Sequence, residues 1–193
     1  MTTTTAVATD FFKHLERSKL LSREEIVAAA RELGLSPHDA PIPVAKAFVR
    51  DGLLTRFQAS RVLDGRHRGF FIDNLKIEEV LGSGGMGWVY IARDLDTNEQ
   101  VALKMLCQED EKDYGLITRF KMESRASKSL NHHAVIRTRR TGQTSGLYGE
   151  IYYMVMDLMV GVGVDEFVAM GGKFTVPLAC HVVQHVCAGL HHA

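Results

Sequence analysis

The segment that most restricts how this chain can fold is Leu81-Gly82-Ser83-Gly84-Gly85-Met86-Gly87-Trp88-Val89-Tyr90. Gly82, Gly84 and Gly87 follow a G-x-G-x-x-G spacing, with Val89 two places after the last glycine. Three arrangements use this spacing: a turn that opens a helix against a pyrophosphate, a loop between two strands that covers a nucleotide's phosphates, and an ordinary glycine-rich hairpin. The first needs a helix N-terminus directly behind the glycines. Here Trp88-Val89-Tyr90-Ile91 follows, a β-branched and aromatic run suited to a strand. The loop therefore joins two strands. Glycine is favoured there because a Cβ would hold the backbone away from a phosphate.

The next motif separates the two remaining readings. Val101-Ala102-Leu103-Lys104 lies in a strand-like run from Gln100 to Leu106. Residues two apart on a strand share a face, so Ala102 and Lys104 point the same way among Val, Leu and Met neighbours. A lysine in so apolar a strand requires a compensating anion, or burial would neutralise it. Phosphates and a carboxylate would serve.

A helical stretch from about Asp113 to Leu130 offers the carboxylate. Leu116, Phe120, Glu123, Ser127 and Leu130 recur at helical spacing, which puts Glu123 on the inward stripe. Glu109 and Glu111 precede that stripe and are poorer candidates. Strand-like runs also occur at Leu75–Leu81, Trp88–Ala92, Val135–Arg140 and Ile151–Leu158, and Pro177–His192 is helical.

The first third of the chain has a different period. Ser22-Arg23-Glu24-Glu25 and Thr55-Arg56-Phe57-Gln58 are capping boxes, and Gly34, Gly52 and Gly65 are natural helix stops. This predicts a small helical domain over residues 1–68, of about four helices, with a packing or interaction role and no catalytic cluster.

Lys and Arg total 23, as do Asp and Glu, so charge gives no case for nucleic acid or a membrane surface as partner. The longest apolar run, Ile151–Val164, contains Asp157 and is too short for a bilayer. Cys107, Cys180 and Cys187 form no C-x-x-C pair, which favours reduced thiols and a cytoplasmic protein. His181 and His185 stand four apart on a helix, but no glutamate follows His181 and no third ligand is evident, so no metal site is expected.

In combination, the glycine loop, Lys104, Glu123 and the run Tyr153-Met154-Val155-Met156-Asp157-Leu158 resemble bacterial serine/threonine protein kinases over residues 71–193. The stretch Arg119-Phe120-Lys121-Met122-Glu123 is similar to the start of that family's helix signature. The resemblance implies an α+β chain: an N-lobe over 71–156, with a five-stranded antiparallel sheet and one helix, then a hinge and the start of a C-lobe over 157–193. It also implies ATP, with backbone from Gly82, Ser83, Gly84, Gly85, Met86 and Gly87 over the phosphates and Lys104 paired to Glu123. Leu81, Val89 and Ala102 would roof the adenine and Met156 would be the gatekeeper. The Asp157 carbonyl and the Met159 amide would bond the adenine edge. A protein substrate or partner and Mg2+ belong to the same implication. The helical prefix resembles, more loosely, a segment of some large bacterial kinases.

Phosphoryl transfer in that family uses H-R-D-x-x-x-x-N and D-F-G. Neither is present, and the chain ends at His191-His192-Ala193, near where the first is expected. Asp113-Tyr114-Gly115 and Arg93-Asp94-Leu95 mimic parts of them in the wrong order. The chain alone is therefore expected to be inactive, its protein ligands for Mg2+ missing. A catalytically silent ATP-binding or scaffolding module is the alternative. Val182, Val183, Val186 and Leu190 are expected to form an apolar stripe on the last helix.

Overall fold

The computed structural model describes residues 8–84, 87–107, 114–146 and 149–193. Two compact units divide them: one comprises the described residues up to Val80 together with Tyr90–Glu99, the other Leu81–Val89 together with Gln100–Ala193.

In the first unit, four helices precede the strands: α1 (Ala8–Ser18), α2 (Arg23–Glu32), α3 (Pro41–Arg50) and α4 (Arg56–Leu63). Both expected capping boxes form. The Glu25 carboxylate accepts from the Ser22 amide at 2.6 Å and the Ser22 hydroxyl accepts from the Glu25 amide at 3.2 Å. Thr55 and Gln58 reciprocate in the same way. Gly34, Gly52 and Gly65 all take positive φ just past their helices, where a Cβ would be strained. The helices bury Phe11, Leu15, Val44, Phe48 and Val62 in one core. Phe11, Phe12 and Phe48 meet edge-on, with centroids 5.9 to 6.1 Å apart, a favoured aromatic geometry.

The same unit holds β1 (Phe71–Ile72), the beginning of β2 (Leu75–Gly84) and the end of β3 (Gly87–Asp94). β1 was not expected, because two residues show no periodicity. Its pairing, Phe71 with Lys76 and Ile72 with Leu75, turns on Asp73, whose φ is 48°. Asp is one of the few residues that tolerate this conformation. Helices and strands share polar contacts. The Thr55 hydroxyl donates to the Glu78 carbonyl at 2.5 Å. The Gln58 amide, 2% exposed, donates to the Ile77 carbonyl at 2.7 Å. Lys76 donates to the Leu20 carbonyl at 3.2 Å, and burial pulls its ammonium below the ordinary lysine range against the opposing pull of Glu78 and Glu25.

In the second unit, β4 (Gln100–Cys107) pairs antiparallel with β6 (Gly149–Asp157), which pairs antiparallel with β5 (Thr138–Gly146). Val101, Leu103 and Met105 are buried, and so are Ala102 and Leu106, so β4 is covered on both faces. β5 lies further along the chain than the expected Val135–Arg140. Its sequence, TRRTGQTSG, is polar because alternate residues of this edge strand face solvent. Helix α5 (Tyr114–Ser129) lays Ile117 and Phe120 against Leu106 and Met154. Its most buried positions are Ile117, Phe120 and Ser124, a small rotation from the expected stripe.

Helix α6 (Val164–Ala169) has no counterpart in the sequence reading, and α7 (Val176–His192) begins with proline near its first turn. Gly189 lets α7 approach the Ala134 carbonyl, which would stand 3.0 Å from a Cβ there. Val183, Val186 and Leu190 are exposed on α7, as expected for the apolar stripe. No described helix is long and apolar enough to cross a membrane.

Candidate functional site

The second unit carries the charged pair anticipated from the strand lysine. β4 presents Lys104 and α5 presents Glu123, and Lys104 Nζ lies 2.5 Å from Glu123 Oε1. The side chains retain 16% and 34% of their exposure, so the pair is sheltered but open to a ligand. Packing fixes the distance: Phe120 and Ile117 hold α5 against Leu106 and Met154, and Lys104 is opposite Met154 in the β4–β6 register. Glu123 Oε2 is buried without a hydrogen-bond partner, as is the neighbouring Ser124 hydroxyl. A buried acceptor without a partner is costly unless a ligand, ion or water satisfies it.

Beside the pair, Leu81, Gly82, Ser83, Gly84, Gly87 and Val89 line a cleft of about 370 Å³ together with Lys104. The glycines there fall into two kinds. Gly87 has φ of 118°, and a Cβ on it would stand 2.1 Å from the Met105 carbonyl oxygen. Only glycine lets β3 close over β4 at this point. A Cβ on Gly82 or Gly84 would meet nothing within 4 Å. The fold does not require glycine at those two positions, and they leave bare backbone facing free space. Gly85 and Met86 lie outside the described residues.

Not every anticipated residue lines the cleft. Ala102 is buried, 5% exposed, and paired with Met156 across the β4–β6 ladder. Asp157, opposite Val101, donates its amide to the Arg137 carbonyl at 3.0 Å and accepts from Arg139 Nε at 2.5 Å. Met159 is 66% exposed just beyond β6. Arg139 was not anticipated; it sits where the β5–β6 register shifts between Thr138 and Arg140, an irregularity a period-2 pattern does not reveal. Among the described residues, no group of three His, Cys, Asp or Glu side chains is placed to hold a metal ion.

The Arg93-Asp94-Leu95 look-alike has a different job. Arg93 binds Glu78 through two hydrogen bonds of 2.6 and 3.3 Å. Asp94, 6% exposed, accepts from Asn74 at 3.1 Å and from the Asp96 amide at 3.0 Å. Both residues shape the β3–β4 turn.

Comparison with known proteins gives a consistent answer. The family model described as the protein kinase domain matches residues 75–193. Serine/threonine-protein kinase PknB of Mycobacterium tuberculosis is 33% identical over 119 residues, which is 62% of this chain and 19% of that protein. Serine/threonine-protein kinase PrkC of Bacillus subtilis is 29% identical over 118 residues, 61% of this chain and 18% of that protein. The chain thus spans about a fifth of the length of these curated relatives. The crystal structure of the Mycobacterium tuberculosis PknI kinase domain, a double mutant, aligns with a TM-score of 0.51 at 21% identity, covering 64% of this chain and 49% of that one. That alignment speaks to fold alone.

Proposed function

Because this chain belongs to the protein kinase domain family, we propose that its glycine turn, Lys104 and Glu123 form the triphosphate side of an ATP site in a serine/threonine kinase. The observation that carries this reading is the 2.5 Å Lys104–Glu123 pair beside the glycine-lined cleft. Lys104 would hold phosphate oxygens by charge-assisted hydrogen bonds, and Glu123 would keep its ammonium charged and aimed. Backbone at Gly82, Ser83, Gly84 and Gly87 would cover the phosphates, with Gly85 and Met86 completing the turn. Leu81, Val89 and Ala102 would contact the adenine, with Met156 behind it and Asp157 and Met159 offering backbone groups to its edge.

The family uses ATP with Mg2+ and acts on proteins. Among the described residues, no group of three His, Cys, Asp or Glu side chains is placed to hold Mg2+. The H-R-D-x-x-x-x-N and D-F-G motifs, which carry the proton acceptor and the metal ligands in this family, do not occur in these 193 residues. The isolated polypeptide is therefore proposed to bind nucleotide without transferring phosphate, the remaining groups coming from further sequence or another chain. Residues 1–68 would act as a separate recruiting domain and 71–193 as the kinase portion, with 71–156 the N-lobe. The exposed thiols of Cys180 and Cys187 favour the cytoplasm as the place of work.

Calorimetric titration with ATP tests this. Saturable binding that Lys104→Ala removes, while the melting temperature of the free protein barely moves, is the expected result. At a hundred times Kd, ATP should stabilise the unsubstituted chain by about 2.7 kcal/mol. Equal affinity in both proteins would refute the assignment of Lys104.

A further inference from the structure

A second concave site lies in the first unit, within the helices and β1. Arg17 and Lys19, at the end of α1, and His67, Arg68, Phe70 and Phe71, from the connector and β1, line a cleft of about 470 Å³. No carboxylate lines it. None of the three cationic side chains has an ion-pair partner among the described residues: the ion pairs near α1 are Lys13 with Asp10 and Arg23 with Glu16. Cations gathered without counter-charges repel one another, and such an arrangement is stabilised when an anion enters.

Three details point to a built site. His67 Nδ1 is buried and has no hydrogen-bond partner, while its ring is held parallel to His14 at 6.0 Å. Lys19 takes φ of 60° directly after α1, the left-handed conformation in which helices commonly end, and this turns its side chain away from the helix axis into the cleft lining. Its turn is fixed by the buried Ser18 hydroxyl, which donates to the Leu15 carbonyl at 2.6 Å and accepts from the Leu20 amide at 3.2 Å. The C-terminal end of α1 brings a partial negative charge of about half a unit. Two guanidinium groups and an ammonium outweigh it.

From this we infer that the cleft binds a phosphate monoester, carried on a phosphorylated serine or threonine of a protein segment. Planar guanidinium groups match phosphate oxygens in pairs. The formal charges of the whole chain sum to zero, 23 against 23, yet three cations and no carboxylate line this cleft. Nucleic acid needs a track of cations along successive phosphates, whereas a cluster of exposed cations in one cleft beside the half-buried Phe71 suits one phosphate and the apolar residue next to it. The anion chemistry stands apart from the nucleotide site. Its assignment to a phosphorylated protein rests on the kinase reading, since a kinase generates such groups.

The test is fluorescence anisotropy with the full 193-residue chain. The probes are a labelled phosphothreonine peptide with an apolar neighbour, its unphosphorylated twin, inorganic phosphate, and a single-stranded oligonucleotide. The phosphopeptide should bind at least about tenfold more tightly than its twin. The double variant R17Q/R68Q should weaken it by about tenfold or more, while saturating ATP leaves it bound. In the unsubstituted protein, the phosphopeptide should shift the backbone amide resonances of Gly69 and Phe70. Equal binding of the two peptides, full binding by the variant, or shifts confined to Gly82–Gly84 would overturn the proposal. Inorganic phosphate binding as tightly as the phosphopeptide would overturn the protein source, and a tighter oligonucleotide would overturn the ligand class. Phosphopeptide binding without ATP binding would separate this site from the nucleotide proposal.

Discussion

The two units put their burial to different uses. The helical unit gathers Phe11, Leu15, Val44, Phe48 and Val62 into one core, all at most 2% exposed, and its aromatic rings interlock. The unit with the glycine turn has a smaller core around α5, of Leu106, Ile117, Phe120 and Met154. Large apolar side chains from Met159 to Leu190 remain exposed. In the first unit, apolar packing and buried polar contacts such as that of Gln58 with the Ile77 carbonyl fix the structure together. In the second, packing is spent on one distance, that between Lys104 and Glu123, and bare backbone and open surface are left around it. Stability and chemistry are thus carried by different residues, and substitutions should separate them.

The largest effect should come from the helical core. Phe48→Ala removes a fully buried ring from the aromatic trio and should cost about 3–5 kcal/mol in urea denaturation. A loss under about 1 kcal/mol would show that this core is not the source of the unit's stability. Next come the glycines, which sharpen the contrast inside the cleft. Gly87→Ala drives a Cβ to 2.1 Å from the Met105 carbonyl and should destabilise by about 1–3 kcal/mol. Gly84→Ala meets open space and should change stability by no more than about 0.5 kcal/mol, while weakening ATP. If the two alanines behaved alike, the division between fold-required and ligand-required glycines would be wrong.

The smallest effect concerns pH. Partial burial, and then the neighbouring rings of His133, His192 and His185, hold His132 below the ordinary histidine range. A histidine whose folded pKa is depressed takes up its proton more readily when unfolded. Its contribution is therefore complete above about pH 6.5 and is lost as the pH falls towards the folded pKa. The melting temperature should drop slightly between about pH 7 and pH 5.5, and His132→Gln should flatten that drop. An unchanged pH profile in the variant would remove His132 from the explanation.

What the sequence made legible was local. The capping boxes at Ser22 and Thr55, the glycine turn and the strand lysine each depend on residues close together in the chain. Misses arose where the cause is distant or the pattern short. The strand expected at Val135–Arg140 lies further along, at Thr138–Gly146, because pairing with β6 and not an apolar pattern of its own defines it. β1 is defined by pairing with Leu75 and Lys76 rather than by composition. Arg139 owes its place to a register shift. The stripe on α5 fits a helical period whether centred on Leu116 or on Ile117, and only contact with Leu106 and Met154 chooses between them. That Gly87, unlike Gly84, is demanded by the fold depends on Met105, eighteen positions away in sequence.

The account's core is that one ammonium faces the phosphates of a bound nucleotide. An acyl phosphate derivative of ATP tests this directly, because an amine lying against the phosphates attacks the acyl carbon and releases ATP. Peptide mapping should find the acyl group on Lys104, and excess ATP should prevent its transfer. Modification spread over surface lysines such as Lys13 and Lys46, with Lys104 untouched, would contradict the account.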